Sequence, residues 1–145
     1  MDSTDHAILN ILQKNARISN KQIADMVHLT PPAVTTRIKR MEQEEIITGY
    51  RAVVNAKKLN RAVMARINMQ IEPEAREKLT QILRKSKNVL SYEHVTGVVS
   101  LSIKVLVVSM HELESLIEKL QQFGNTETLL ILSNNMPDVP IYTLD

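Results

Sequence analysis

The chain reads as an α+β protein: an N-terminal winged helix-turn-helix unit joined to a C-terminal ferredoxin-like βαββαβ unit. Three observations predict this. Two short helical patterns follow one another across the turn His28-Leu29-Thr30. Strand and helix periods then recur in the order strand, helix, strand, strand, helix, strand from Val63 to Leu132. Between them lies the aperiodic basic segment NAKKLNR. The expected divisions are therefore 1–54 for the first unit, 55–61 for a connector and 62–145 for the second unit. The connector lacks the Gly and Ser richness of a flexible linker, so order is expected in it.

The first helix is expected within Asp2 to Ala16, where Ile8, Leu9, Ile11 and Leu12 form one stripe. The second begins near Asn20, because Ser19 and Gln22 have capping-box spacing and Ile18 and Ile23 occupy the staple positions. His28 falls where a tight turn calls for a left-handed residue, which His tolerates better than most. Thr30 then caps the third helix, Pro31 sits where a missing N–H is harmless, and Leu29 with Val34 repeats the staple. Val34, Ile38 and Met41 mark its buried stripe. From Ile46 to Val54, β-formers alternate around Gly49 and Tyr50 and predict a first wing strand.

In the second unit Val63, Ala65, Ile67, Met69 and Ile71 alternate as a strand, and Pro73 opens a helix through Leu79, Ile82 and Leu83. Val89 to Val95 is extended, Gly97 marks a turn, and Val99 to Val107 carries a continuous apolar face. Ser109 starts a helix using Leu113, Leu116, Ile117 and Leu120, which Gly124 is expected to end before a strand at Thr128 to Leu132. Helices would cover one sheet face. The other holds Met64, Arg66, Asn68, Gln70, Ser100, Ser102 and Lys104, too polar for a dry core but able to pair with an identical sheet under two-fold symmetry.

Charge separates the units more sharply than the formal net charge of +2 suggests. Lys14 to Arg40 holds six Lys or Arg against the single acid Asp25, and Arg51 to Arg66 holds five against none. Ile67 to Asp145 reverses the balance, with seven basic and ten acidic residues. Such asymmetry is expected when one portion meets polyphosphate. The face of the third helix opposite its apolar stripe presents Pro32, Thr35, Thr36, Lys39, Arg40 and Gln43, with Arg37 at the edge. Methyls, hydroxyls and cations in this arrangement suit a major groove. Pro32, Thr35 and Thr36 are the candidate base readers; Lys21, Arg37, Lys39 and Arg40 are candidate phosphate contacts, with Thr30 at the helix start completing the DNA-binding set.

Cysteine is absent, which excludes disulfides and thiolate zinc sites. His6, His28, His94 and His111 have no paired spacing, so no metal, cofactor or catalytic residue is expected. No apolar run is long enough to span a bilayer, and the acidic opening is unlike a secretory signal, so the expectation is a cytoplasmic protein without a membrane partner.

Asp2, Asp5, the run Asn15-Ala16-Arg17-Ile18-Ser19, Leu29-Thr30-Pro31, Val34, Arg37-Ile38, Arg40-Met41-Glu42, Ile46-Ile47, Gly49-Tyr50 and Thr96-Gly97 occur together in one order and spacing. Over essentially its full length the chain thereby resembles the Lrp/AsnC (feast/famine) family of transcriptional regulators. The resemblance implies binding to double-stranded DNA, a second domain that mediates dimers often assembled into octamers, and in many members an amino-acid effector held at subunit interfaces. It places the candidate effector contacts at Thr96, Gly97, Val98, Val99 and Ser100. Two positions depart from the pattern. Glu45 stands where the family usually has a capping Gly, and Val98-Val99-Ser100 stand where many amino-acid binders carry acidic residues that meet an α-ammonium group. The effector is then bound through backbone and Ser100, or differs, or is absent. Two other readings stay open: an architectural DNA organiser with weak sequence preference, and a tetrapyrrole (sirohaem) decarboxylase-like enzyme using His6, His28 or His94 as an acid.

Overall fold

The computed structural model describes residues 1–133 and 141, which fall into two compact units, 1–53 with Ile141 and 54–133. The expected second unit, 62–145, extends past the described residues at 134–140 and 142–145.

The first unit is built from three capped helices, α1 (Ser3–Lys14), α2 (Asn20–Val27) and α3 (Pro31–Gln43). At α1 the Asp2 carboxylate accepts from the Asp5 N–H and the Asp5 carboxylate accepts from the Asp2 N–H, a reciprocal capping box. Ser19 and Gln22 make the expected box at α2, and Thr30 caps α3 by accepting from the Ala33 N–H. Their apolar stripes meet in one core of Ile8, Leu12, Ile23, Ala24, Val34, Ile38 and Met41, with Ile18, Leu29 and Ile47 packed against it. Each large side chain buried there stabilises the unit by about 1.5–3 kcal/mol.

Two left-handed residues shape the exits from α2 and α3. His28 (φ 55°) follows α2, and the Leu29 N–H reaches back to the Ala24 carbonyl. Glu45 (φ 56°) follows α3, where the Ile46 N–H donates to Met41 O at 2.9 Å and the Glu45 N–H to Glu42 O at 3.1 Å. This is the bond pattern of a Schellman motif, whose left-handed position usually holds glycine. The cap therefore survives the Gly-to-Glu departure, with a strained residue in place of a permissive one.

The wing strand expected at 46–54 is not formed. Residues 48–55 pair with no strand among the described residues, and Val53 is 97% exposed. Their β-forming side chains favour extended backbone, but a strand also needs a hydrogen-bonding neighbour.

The second unit has the predicted order: β1 (Val63–Ile71), α4 (Pro73–Lys85), β2 (Val89–His94), β3 (Leu101–Val107), α5 (Met110–Gln121) and β4 (Gly124–Leu130). The strands form one antiparallel sheet in the order β2-β3-β1-β4. Leu79 and Leu83 of α4 and Leu113 and Leu120 of α5 pack on Ala65, Ile67, Met69, Ile71, Leu101, Ile103, Val105 and Val107. The connector is ordered, with a 3-10 turn at Lys57–Leu59. Arg61 at its end donates to Lys87 O, Asn88 Oδ1 and Leu106 O.

Two strand starts differ from expectation. The third strand starts at Leu101 instead of Val99, because 96–99 closes the hairpin and the Val95 N–H bonds Ser100 O. Gly124 does not cap α5; it opens β4, which begins four residues before Thr128. A Cβ at Gly124 would lie 2.1 Å from Gln70 O, so this residue is fixed by the approach of β4 to β1.

The helix-free face is joined laterally by its own polar side chains. Arg66 Nη1 donates to Ser102 Oγ (3.1 Å), Ser102 Oγ donates to Asn68 Oδ1 (2.9 Å), and Arg66 pairs with Glu93 (3.6 Å). Asn68 Nδ2 reaches Glu127 at 3.5 Å.

Candidate nucleic-acid interface

The reading face is created by what α3 buries. With Val34, Ile38 and Met41 turned into the core, Pro32, Thr36, Lys39 and Gln43 are exposed on the far side, and Lys21 and Thr30 are exposed beside them. Thr36 is exposed, and its Oγ1 donates to Pro32 O at 3.0 Å, which leaves the hydroxyl lone pairs unused.

Thr35 is placed differently from Thr36. Its hydroxyl donates to Pro31 O (2.9 Å) and accepts from Asn20 Nδ2 (2.8 Å), which ties α3 to the start of α2. The hydroxyl is half-buried and already bonded in both directions.

Arg37 and Arg40 are held by carboxylates of α1. Arg37 Nη1 lies 2.6 Å from Asp2 Oδ2 and 2.7 Å from Asp5 Oδ1, and Arg40 Nη2 lies 2.5 Å from Asp5 Oδ2. Asp5 is 1% exposed, a buried charge tolerable only because two guanidinium groups and the Asp2 N–H surround it. Burial alone pushes its carboxyl up, but these donors outweigh burial and hold it below the ordinary carboxylate range. Asp2, half exposed, is lowered to about 2 by the Asp5 N–H and by Arg37.

Neither Asp5 nor Asn20 is predicted as a functional residue from sequence. The Asp2/Asp5 spacing carried a signal, because a capping pair at a helix start puts two carboxylates at one spot. Tyr50 is a third addition: its OH donates to Glu42 on α3 at 2.9 Å, and burial with this contact raises its pKa to about 12.

The turn 96–100 presents Thr96, Gly97 and Val98 to solvent, Val98 being 87% exposed, while Val99 and Ser100 are half-buried. Ser100 Oγ accepts from the Ile71 N–H (2.9 Å), and its N–H donates to Met69 O, so this residue fastens the end of β1. The histidines sit on separate elements: His6 in α1, His28 after α2, His94 ending β2 and His111 in α5. Among the described residues no group of three or more His, Asp or Glu is arranged to hold a metal ion, and no helix is long and apolar enough to cross a membrane.

A helix-turn-helix with an outward polar reading face, in one chain with a separate βαββαβ unit, defines a DNA-binding regulator of two-domain type. Residues 1–48 match the winged helix-turn-helix DNA-binding domain, and residues 62–141 match the Lrp/AsnC ligand binding domain. The chain belongs to the Lrp/AsnC family of transcriptional regulators. It is 33% identical over 135 residues to the uncharacterized HTH-type transcriptional regulator YezC of Bacillus subtilis, covering 93% of this chain and 96% of that one. It is 32% identical to the regulator LrpB of the same organism, over 90% of this chain and 87% of that one. A crystal structure of a transcriptional regulator from Neisseria meningitidis in complex with L-Met matches with a TM-score of 0.90 and 25% identity, covering 97% of this chain and 96% of that one. The function is that of an HTH-type transcriptional regulator of Lrp/AsnC type; the architectural and decarboxylase readings are not favoured.

Proposed function

We propose that the chain represses or activates particular promoters as a sequence-selective homo-oligomer, with α3 in the major groove of double-stranded DNA. The observation that carries this reading is the separation of faces on α3, apolar residues inward and Pro32, Thr36 and Lys39 outward. Thr36 and Pro32 read base edges, with Thr35 set behind them, and Lys21, Thr30 and Lys39 contact phosphates. Arg37 and Arg40 join them from the carboxylate cluster. A dimer built through the helix-free sheet faces would present two readers to inverted half-sites, about 34–36 Å apart or at multiples of that spacing. Higher assembly to an octamer is part of this reading, as are a cytoplasmic location and the absence of catalysis.

The second domain is proposed to take an amino acid or a related small molecule at Thr96 to Ser100, supported by the L-Met complex of the neisserial relative. Ser100 Oγ already accepts from the Ile71 N–H and donates to Met69 O, and Val98 and Val99 offer no carboxylate, so the Thr96 hydroxyl and backbone groups of Thr96 to Val99 are left to hold the ligand. The test is fluorescence anisotropy against genomic operator candidates and random duplex at matched salt, with and without each of the twenty amino acids. Equal affinity for both DNAs would remove sequence selectivity. A silent amino-acid series would remove that effector class.

A further inference from the structure

Four charges meet where α1 begins against the C-terminal half of the reading helix, and they are unequal in how firmly they are held. Asp5 is buried, accepts from three donors and is a fixed post. Asp2 is 53% exposed and binds Arg37 at the surface, where an ion pair is weak and exchangeable. Arg37 is itself 27% exposed and lies one residue before Ile38 and two before Lys39, at the edge of the face assigned to DNA. Its guanidinium, a planar fork of donors, suits a phosphate as well as a carboxylate.

We infer that Asp2 is a positioning residue for DNA binding: it holds Arg37 retracted against α1 in the free protein, and a backbone phosphate displaces it when α3 enters the groove. Asp5 keeps its hold on Arg37 and Arg40 throughout, so the helix stays in place while one partner is exchanged. The exchange leaves Asp2 without its cation and beside the polyanion, and it takes up a counterion from solution. Arg37 therefore contributes less to the net counterion release than an unpaired arginine would. The assignment rests on the major-groove reading above.

Asp2→Asn separates this role from helix capping, because Asn is as good an N-cap residue as Asp and keeps the side-chain oxygen that accepts from the Asp5 N–H. With the full-length chain and one operator duplex titrated across salt concentrations, D2N is expected to bind about two- to fivefold tighter per reader at about 0.1 M salt. Its log–log salt slope should steepen by up to about 0.9 per reader. In an Arg37→Ala background the same change should do nothing, because the gain acts through Arg37. Asp2→Ser, another uncharged cap, should reproduce D2N and guards against a folding defect in one variant. A D2N protein with unchanged slope, or with weaker binding, would overturn the assignment, as would a gain that persists without Arg37. Wild-type protein that failed to bind duplex DNA at all would instead sink the groove reading together with it.

Discussion

Glu45→Gly offers a direct measure of strain stored at the end of the reading helix. Glu45 has φ 56° and stands at the left-handed position of a Schellman motif closed by the Ile46-to-Met41 and Glu45-to-Glu42 bonds. A residue with a Cβ loses roughly 1–2 kcal/mol in that conformation, and glycine does not. It also adds a negative charge just past the C-terminus of α3, costing a further ~0.3 kcal/mol at an exposed site. Against this, glycine loosens the unfolded chain by about 0.4–1 kcal/mol. The balance is a stabilisation of about 1 kcal/mol, to be read as a rise in the urea midpoint of the transition that unfolds the helical unit, followed by far-UV circular dichroism. Glu45→Ala is the control, since it removes the charge and keeps the Cβ; it should gain only about 0.3 kcal/mol. If Ala stabilised as much as Gly, or if Gly destabilised, left-handed strain would not be the cause.

Gly124→Ala should destabilise the second unit by about 1–3 kcal/mol in urea, because the new Cβ falls 2.1 Å from Gln70 O and β4 must shift to admit it; an unchanged midpoint would mean that β4 is not held to that register. Acid stability follows from Asp2, Asp5 and Glu112, whose carboxyls are all lowered in the fold, Glu112 by the Val108 N–H and then by Asn88. Groups lowered on folding stabilise fully above their unfolded values, near 4, and lose that contribution as pH falls through the folded values. The urea midpoint should therefore be flat from neutrality to about pH 5 and fall between about pH 4 and 2, and Asp5→Asn should lower the plateau and flatten the fall. Lys39→Ala should weaken binding to all duplexes alike and reduce the salt slope by about 0.9 per reader, whereas Thr36→Ala should change the ranking of operator sequences at constant slope. Swapped outcomes would reverse the two assignments.

The sequence was most legible where structure is local. The Ser19/Gln22 box, the Thr30-Pro31 start and the left-handed turn at His28 are read from neighbours within a few residues, and all three are present. Alternation likewise foretold β1, because every second residue from Ala65 to Ile71 reaches the core. Legibility failed where the deciding partner is distant or missing. Alternation in 46–54 looks like a strand, yet no described segment completes its ladder. Gly124 resembles a helix stop until β1 is placed beside it. Arg37 reads as a free cation at the edge of the reading face, but its charge is answered by Asp2 and Asp5, more than thirty residues earlier. For the same reason Thr35 and Thr36 look interchangeable in sequence, and only the Asn20 contact separates them.

Side chains from Glu93 through Arg66 and Ser102 to Asn68 bond to one another across the helix-free face within a single chain. A sheet face whose donors and acceptors already answer one another asks little of a neighbour and loses little when the neighbour leaves. In the dimer proposed above, association across this face would be governed by matching of pattern more than by exclusion of water, which would favour partners bearing the same arrangement. Two copies joined as proposed above would part without leaving Arg66, Ser102 or Asn68 unpaired on either one.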